Sequence, residues 1–172
     1  MWTVWRPDGI AVLKDQRARS SLARYFNVTE DNVPAKFLIA KKLPANFSKN
    51  DSTKRLWGLH RQFTEDFCHL EKEIDAQHKS LDDLGDPEKS YLDLKIEIAN
   101  RILESCHFCT RRCSANRLAG ELGYCKCGNQ IVVSSMFEHM GEEPELVPSG
   151  TIFTFGCSMR CRHCQNWRVR LT

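Results

Sequence analysis

The strongest hydrophobic pattern in the chain is a stripe in its middle third. Apolar residues recur there at steps of three and four, which places their side chains on one face of a helix. These residues are Leu56, Leu59, Phe63, Phe67, Leu70 and Ile74. Asp51 or Ser52 can cap the start of such a helix, and Gly85 with Pro87 would end it. The pattern therefore predicts a long helix over about 52–84.

A second apolar segment, over 90–105, fits two different periods. Apolar residues alternate over 92–98, as in a strand, but three of them also repeat at helical spacing: Leu94, Ile98 and Ile102. Sixteen residues is long for a strand. We therefore predict a second helix, and over 51–105 a helical hairpin in which the two helices pack antiparallel.

The flanking regions predict shorter elements. Two apolar runs surround Arg6-Pro7-Asp8-Gly9, and this turn chemistry predicts a β-hairpin over about 1–13. Apolar residues four apart predict a short helix over 15–26. Beyond residue 105 only 130–134 and 151–155 have the pattern of short strands. The expected fold class is α+β, with a hairpin and short helix over 1–50, the helical hairpin, a loop-rich cysteine segment over 106–150 and a further strand.

Composition and cysteine placement limit the function classes. The 172 residues carry a formal net charge of +3, which is too small to indicate nucleic acid or an anionic membrane as partner. The sequence has neither a membrane-length apolar run nor a signal-peptide pattern, so we expect a cytoplasmic protein. Eight of the nine cysteines lie from Cys106 onward. In a reducing compartment such a cluster is more typical of metal ligands than of disulfides.

Three of these cysteines lie on one short segment near the carboxyl end. Cys157, Cys161 and Cys164 have the spacing C-x3-C-x2-C. Three thiolates can each hold one iron of a cubane [4Fe–4S] cluster and leave the fourth iron without a protein ligand, whereas four cysteines would close the cluster. An open position is the mark of a catalytic metal centre. The alternative is a structural zinc site with His163 as fourth ligand, although a ligand directly beside Cys164 is sterically awkward.

The surrounding sequence resembles a known family. The segment SGTIFTFGCSMRCRHCQNW is similar to the cluster loop of the radical S-adenosylmethionine superfamily. Two upstream stretches, CHFCTRRCSANRLAGELGYC and FEHMGEEP, look like the branch related to pyruvate formate-lyase-activating enzyme. In the second stretch His139, Glu142 and Glu143 fit either a role near the cofactor or a polar surface loop. The resemblance covers roughly 95–172 and says little about 1–90.

This resemblance implies a specific chemistry. Cys157, Cys161 and Cys164 would ligate the [4Fe–4S] cluster, its open iron would bind S-adenosyl-L-methionine, and His163 would lie near the adenine. Reductive cleavage of S-adenosylmethionine would give a 5′-deoxyadenosyl radical, which in the best-known branch abstracts hydrogen from a glycine residue of a partner protein. A low-potential electron donor would be required. The implied catalytic fold is a partial (β/α) barrel, of which 151–172 would be the first strand and the cluster loop.

A second group of cysteines lies upstream. Cys106, Cys109, Cys113 and Cys125 supply four thiolates, enough for a closed tetrahedral site that holds zinc or for a second iron–sulfur cluster. The sequence does not distinguish these two, and Cys127 is left as a free thiol or an alternative ligand. Cys68, beside the apolar stripe of the long helix, is expected to be a small buried apolar residue.

The chain departs from the family after Cys164, where eight residues remain. The other strand–helix units of a partial barrel would need well over ~100 residues. We therefore expect a chain that is not active alone, either completed by a second chain or produced from a truncated gene, with the strand at 151–155 lacking partners from its own barrel. The alternative function is a non-enzymatic zinc-binding interaction module. Nucleic acid is not an expected partner, because no dense basic stripe is present.

Overall fold

The computed structural model describes residues 2–170 and divides the chain into two compact units. The helical unit is Arg24–Ile102, and the cysteine-rich unit combines Met1–Ala23 with Leu103–Thr172. The described helices are α1 Trp2–Trp5, α2 Pro7–Leu13, α3 Gln16–Ser21, α4 Ala23–Thr29, α5 Lys36–Lys42, α6 Thr53–Asp75, α7 Tyr91–Glu104 and α8 Trp167–Arg170. The described strands are β1 Val133–His139 and β2 Ser149–Thr154. No helix within 2–170 has the length and apolarity needed to cross a bilayer.

The long helix of the middle third is confirmed at its start but ends early. The Ser52 hydroxyl caps α6 by accepting a hydrogen bond from the Arg55 N–H at 3.3 Å. Helix α6 ends at Asp75 rather than near 84, because Gln77 takes a left-handed φ of 59° and a 3₁₀ turn, Leu81–Asp83, follows. The prediction for Cys68 was wrong, since this side chain is exposed. It lies beside the apolar stripe, on a part of the helix surface that is not covered.

The helical unit is built around one apolar core. Its buried members come from α5, α6, α7 and the segment between α5 and α6: Ala40, Ala45, Phe47, Leu56, Tyr91, Leu94 and Ile98. Tyr91 is almost completely buried, and its hydroxyl lies 2.7 Å from the Thr64 hydroxyl of α6. The helix predicted over 90–105 is therefore confirmed as α7, and its apolar face packs with that of α6. Helix α5 is an additional element that the sequence pattern did not predict.

The amino-terminal prediction was wrong. Residues expected to form a β-hairpin form α1 and α2 instead. Proline occupies the first position of α2 and Asp8 lies in its first turn, and both features favour a helix start as well as a turn. The single helix predicted over 15–26 is two helices, α3 and α4, which are interrupted at Leu22. The Asp15 carboxylate caps α3.

The described sheet has two antiparallel strands, β1 and β2. Met136 lies opposite Ile152 and Phe137 opposite Thr151. Strand β1 extends to His139, five residues beyond the predicted 130–134, and β2 closely matches the predicted 151–155. Strand β1, which is not part of the expected barrel, pairs with this second strand, and the lack of partners from the strand's own barrel stays a prediction. The sheet is not closed, and the incomplete (β/α) barrel remains a prediction.

Candidate metal centres

The three cysteines near the carboxyl end lie on one loop that follows β2. Cys157 and Cys164 are half-buried and Cys161 is exposed. The N–H of Met159 donates to Cys157 Sγ at 3.4 Å. Hydrogen bonds from backbone N–H groups stabilise thiolate ligands in metal centres. His163, beside Cys164, has an exposed side chain. The loop thus holds the three predicted thiols within eight residues.

The start of this loop is seated against the upstream cysteine segment. Gly156 has a φ of 93°, and a Cβ at this position would lie 2.2 Å from Cys127 Sγ and 2.8 Å from the Cys125 carbonyl oxygen. The N–H of Cys157 donates to the same carbonyl at 3.1 Å. Only glycine fits this position, because it lacks the Cβ and tolerates the left-handed backbone. Cys125 and Cys127 therefore set where the loop begins.

Tyr124 forms a second connection between the two segments. Its ring lies between the guanidinium groups of Arg111 and Arg160, whose carbons are 4.2 Å and 3.9 Å from the ring centre. Arg160 also donates to the Tyr124 carbonyl at 2.8 Å, and Arg111 donates to the Ser158 carbonyl at 3.4 Å. One arginine comes from each segment, so the stack fixes the loop from both sides.

The upstream cysteines begin in a closed loop. Cys106 is almost completely buried; its N–H donates to the Ala115 carbonyl at 3.1 Å, and its carbonyl accepts from the Ser114 N–H at 3.0 Å. This closure places Cys106 beside Ser114, the residue that follows Cys113. Cys109, at the far side of the loop, is exposed.

A buried arginine lies among the upstream thiols. Arg117 is 9% exposed, and its Nη2 donates to Cys125 Sγ at 3.3 Å. A Cβ at Gly123 would lie 2.7 Å from the same Nη2 and 3.2 Å from Cys113 Sγ, so Cys113 is a neighbour of this guanidinium. Burial acts to lower the pKa of Arg117, but the contact with Cys125 outweighs it, so that this pKa lies above its ordinary value. The guanidinium is therefore bonded to one upstream thiol, that of Cys125, and lies near a second, that of Cys113.

The thiols of this segment differ in acidity. The N–H of Ala115, assisted by that of Tyr124, holds the pKa of Cys113 below its ordinary value. Burial acts to raise the pKa of Cys125, but the N–H and side chain of Cys127 and the Arg117 guanidinium outweigh it, so this pKa is also lowered. Burial raises the pKa of Cys127. The arrangement thus stabilises thiolates at Cys113 and Cys125.

The fit to a metal depends on the type of centre. Within residues 2–170, no three His, Cys, Asp or Glu side chains lie close enough around one point to hold a single metal ion. A cubane does not need such convergence, because each of its irons takes a separate thiolate. The donor set of the carboxyl-terminal loop, three thiols and a backbone N–H directed at Cys157 Sγ, is chemically suited to that cluster.

The polar FEHMGEEP stretch is held by the amino-terminal segment of the same unit. Arg6 donates to the Met140 carbonyl and, at 3.0 Å, to the Glu142 carbonyl. His139 Nδ1 lies 3.1 Å from Glu142 Oε1, a contact that is an ion pair only when the histidine is protonated. These contacts fix the conformation of the turn after β1. They leave a role near a cofactor as a prediction.

Comparison with known proteins gives one clear relative. An uncharacterized protein of Methanocaldococcus jannaschii is 40% identical over 148 residues, which is 86% of this chain. The match covers 41% of that protein, so the chain spans less than half of its length. No protein family matches the chain. No solved structure matches it either. The likeness extends over most of the chain and assigns no activity.

Sequence reasoning missed Arg117 and kept Cys127 only as a free thiol or an alternative ligand. The predicted four-thiol set included Cys109, which is exposed, and left Cys127 over, although Cys127 lies against Gly156 and interacts with Cys125. The C-x-C spacing of 125–127 was a usable signal, because two cysteines so close in sequence can form one turn at a metal. Nothing in the sequence marks Arg117 among the other arginines of this segment.

Proposed function

We propose that this chain is part of an iron–sulfur protein that resembles the radical S-adenosylmethionine enzymes. In this proposal Cys157, Cys161 and Cys164 hold a [4Fe–4S] cluster, and the iron without a protein ligand takes the amino and carboxylate groups of S-adenosylmethionine. When bound, the cluster supplies the electron that cleaves the sulfonium. In the best-known branch of the family that the sequence resembles, the radical abstracts hydrogen from a glycine residue of a partner protein. The proposed activity is of this glycyl-radical-activating type.

One observation carries the proposal: the three thiols lie on a single loop whose start is fixed by specific contacts. The Gly156 backbone lies directly against Cys127 Sγ, and the Cys157 N–H is bonded to the Cys125 carbonyl. A loop held in this way presents its first thiol in a defined position. A solvated surface loop does not need a glycine with a φ of 93° pressed against a thiol.

The residues around the loop have separate roles in this proposal. Arg111, Tyr124 and Arg160 hold the middle of the loop, so that the exposed Cys161 can meet a cluster without a large loss of conformational entropy. His163 is exposed beside Cys164 and is available to contact an adenine ring. The walls that enclose S-adenosylmethionine would come from further polypeptide, in the same or a second chain, and a low-potential donor would reduce the cluster.

The test is anaerobic reconstitution of the full chain with iron and sulfide. The wild-type protein is expected to take up about four irons in the loop, with the charge-transfer absorption of an iron–sulfur cluster. A triple variant, Cys157→Ala with Cys161→Ala and Cys164→Ala, should lose that iron. Cys68→Ala is the matched control, because this thiol is exposed on α6, and it should keep the full content.

Two results would overturn the proposal. Undiminished iron and sulfide in the triple variant would show that the loop does not hold the cluster. Zinc bound by Cys157, Cys161 and Cys164, with no iron uptake, would favour the alternative function, a non-enzymatic zinc-binding interaction module. Both are read from metal analysis of the same anaerobically purified samples.

A further inference from the structure

A groove with a volume of about 570 Å³ lies within the cysteine-rich unit, and all of its lining residues belong to that unit. This volume is typical of small-molecule sites, which range from about 300 to 1,000 Å³. We call it the Arg117 groove, after the buried arginine in its lining. Its apolar lining residues are Leu103, Phe108, Leu122, Ile131, Val132 and Phe155.

The apolar walls of the groove are in contact with water. Phe108, Leu122, Ile131 and Val132 all have exposed side chains. Single apolar residues on a surface need no explanation, but several that line one concave surface indicate a binding site. A ligand with an apolar body would remove this surface from water, which is favourable.

The charged side chain at the covered side of the groove is Arg117. A guanidinium is permanently charged and has five N–H donors. Its Nη2 donates to Cys125 Sγ at 3.3 Å, and a thiol is a weak acceptor. Its Nε is buried and has no hydrogen-bond partner within 2–170. The part of the chain that the structure describes therefore gives this arginine no oxygen acceptor, although it is only 9% exposed.

Arginines of the helical unit differ from Arg117 in this respect. Arg24 lies 2.9 Å from a Glu71 carboxylate oxygen, and Arg55 lies 3.1 Å from one of Asp51. Both arginines are more exposed than Arg117. A buried charge needs a partner more than an exposed one does, because water does not solvate it. The missing partner of Arg117 is therefore an anion that the described residues do not supply.

The guanidinium is already held in position. A Cβ at Gly123 would lie 2.7 Å from Arg117 Nη2 and 3.2 Å from Arg117 Cζ, so this glycine lets the backbone close one side of the group. The bond to Cys125 Sγ adds a second contact. A charge that is fixed before a ligand arrives loses little conformational entropy when the ligand binds.

The other polar groups of the groove also favour an anion. Lys126 is the second charged residue of the lining, and Asn129 and Gln130 contribute amides. The lining contains neither aspartate nor glutamate. The groove thus combines two positive charges with apolar walls, and it has no negative charge to repel an acid.

We propose that the Arg117 groove binds a small carboxylic acid with an apolar body. The carboxylate would accept hydrogen bonds from the Nη groups of Arg117, since guanidinium and carboxylate match in shape and charge. The apolar body would lie against Phe108, Leu122 and Ile131. A single guanidinium at the covered side fits one carboxylate better than a doubly charged phosphate. None of the three cysteines proposed to hold the cluster lines the groove, so the two proposals can fail separately.

The test compares octanoate with octanamide, two probes of the same length that differ in charge. Calorimetric titration of the full chain at neutral pH should show that octanoate binds about tenfold more tightly than octanamide, because only octanoate pairs with the arginine. Equal affinities would overturn the role of Arg117. Absence of octanoate binding at about 10 mM would overturn the site itself.

Two exposed leucines of the same segment give a matched pair of variants. Leu122 lines the groove and Leu118 does not, and both side chains are exposed, so neither change should prevent folding. Leu122→Glu places a negative charge in the groove and should weaken octanoate binding about tenfold, whereas Leu118→Glu should weaken it less than about twofold. Equal weakening by both variants would place octanoate elsewhere.

The third variant, Arg117→Met, removes the charge and keeps most of the apolar length of the side chain. It should abolish the preference for octanoate over octanamide and leave octanamide binding within about twofold of wild type. A preserved preference would contradict the proposal.

A measurement on the wild type keeps the proposal falsifiable if Arg117→Met does not fold. In nuclear magnetic resonance spectra, octanoate should shift the guanidinium signals of Arg117 and the amide signals of Gly128 and Gln130, which line the groove. The signals of α6 should not move. Shifts that leave Arg117 unchanged would show that the carboxylate does not bind there.

Discussion

The two units of the chain are stabilised by different means. Of fourteen buried apolar residues in the described part of the chain, eleven lie in the helical unit and three in the cysteine-rich unit. The helical unit follows the ordinary rule that burial of apolar side chains opposes the loss of chain entropy. The cysteine-rich unit follows this rule less closely, since many of its apolar side chains are exposed, such as Ile131 in a loop and Met136 on β1. The comparison predicts that the two units respond to different perturbations.

The largest expected effect is the removal of metal from the cysteine-rich unit. Structural zinc contributes about 10–16 kcal/mol of apparent binding free energy in small zinc peptides. If the upstream cysteines hold zinc, one of the two metal centres that the sequence allows there, incubation with a strong chelator should unfold residues around Arg117 and leave α6 and α7 folded. Hydrogen exchange measured by mass spectrometry, peptide by peptide, checks this. Equal protection of the cysteine-rich peptides before and after chelation, with zinc shown to be gone, would remove metal as the source of their stability.

The converse perturbation is a cavity in the helical core. Leu56 is fully buried, so Leu56→Ala should lower the free energy of unfolding of the helical unit by about 2–5 kcal/mol. The zinc and iron contents of the chain should not change. Ile96→Ala is the control, because this side chain on α7 is half exposed and should lose less than about 1 kcal/mol. A Leu56→Ala protein that loses metal in proportion to stability would show that the two units are not independent.

The helical unit was the more predictable of the two. The stripe from Leu56 to Ile74 and the repeat in α7 specified both helices, because apolar periodicity reports directly on burial. The prediction failed at 1–13, where Pro7 and Asp8 suit a helix start as well as a turn, and at 76–84, where an early left-handed residue ended α6. Local sequence does not decide between such alternatives when their energies are close.

The cysteine-rich unit was predictable in its chemistry but not in its geometry. The sequence named Cys157, Cys161 and Cys164 as one loop, and the structure places them on one loop. It also grouped Cys106, Cys113 and Cys125 at one metal, which stays a prediction because no three thiols of the described residues converge on one point. It could not give the exposure of Cys109 or the contact of Cys127 with Gly156, since these depend on left-handed turns and glycine contacts that no periodic pattern records.

A smaller effect is expected at the junction of the loop with the upstream segment. Gly156→Ala introduces a Cβ that would lie 2.2 Å from Cys127 Sγ and imposes a φ of 93° on alanine, a strain of about 1–3 kcal/mol. Iron uptake by the loop and zinc retention should both fall. Gly150→Ala, on β2 with open space at its Cβ, should leave both unchanged. If Gly156→Ala and Gly150→Ala bind equal amounts of metal, the junction at Gly156 does not contribute to metal binding.

The smallest expected effect is confined to the start of α7 in the helical unit and depends on pH. The Asp93 carboxylate accepts hydrogen bonds from the Ser90 hydroxyl at 2.6 Å and from the Ser90 N–H at 2.8 Å, and these bonds hold the pKa of Asp93 below its ordinary value. A carboxyl with a lowered folded-state pKa stabilises the protein above its unfolded pKa and loses that contribution as the pH falls through the folded value. Asp93→Asn should therefore weaken α7 by about 0.3–1 kcal/mol near neutral pH, and the difference from wild type should shrink below about pH 4. Amide exchange at α7, measured for both proteins across this pH range, reports on the helical unit alone. A loss of metal from the cysteine-rich unit in acid therefore does not affect the comparison. A difference that stays constant from neutral pH down to pH 2 would mean that Asp93 acts through packing rather than through its charge.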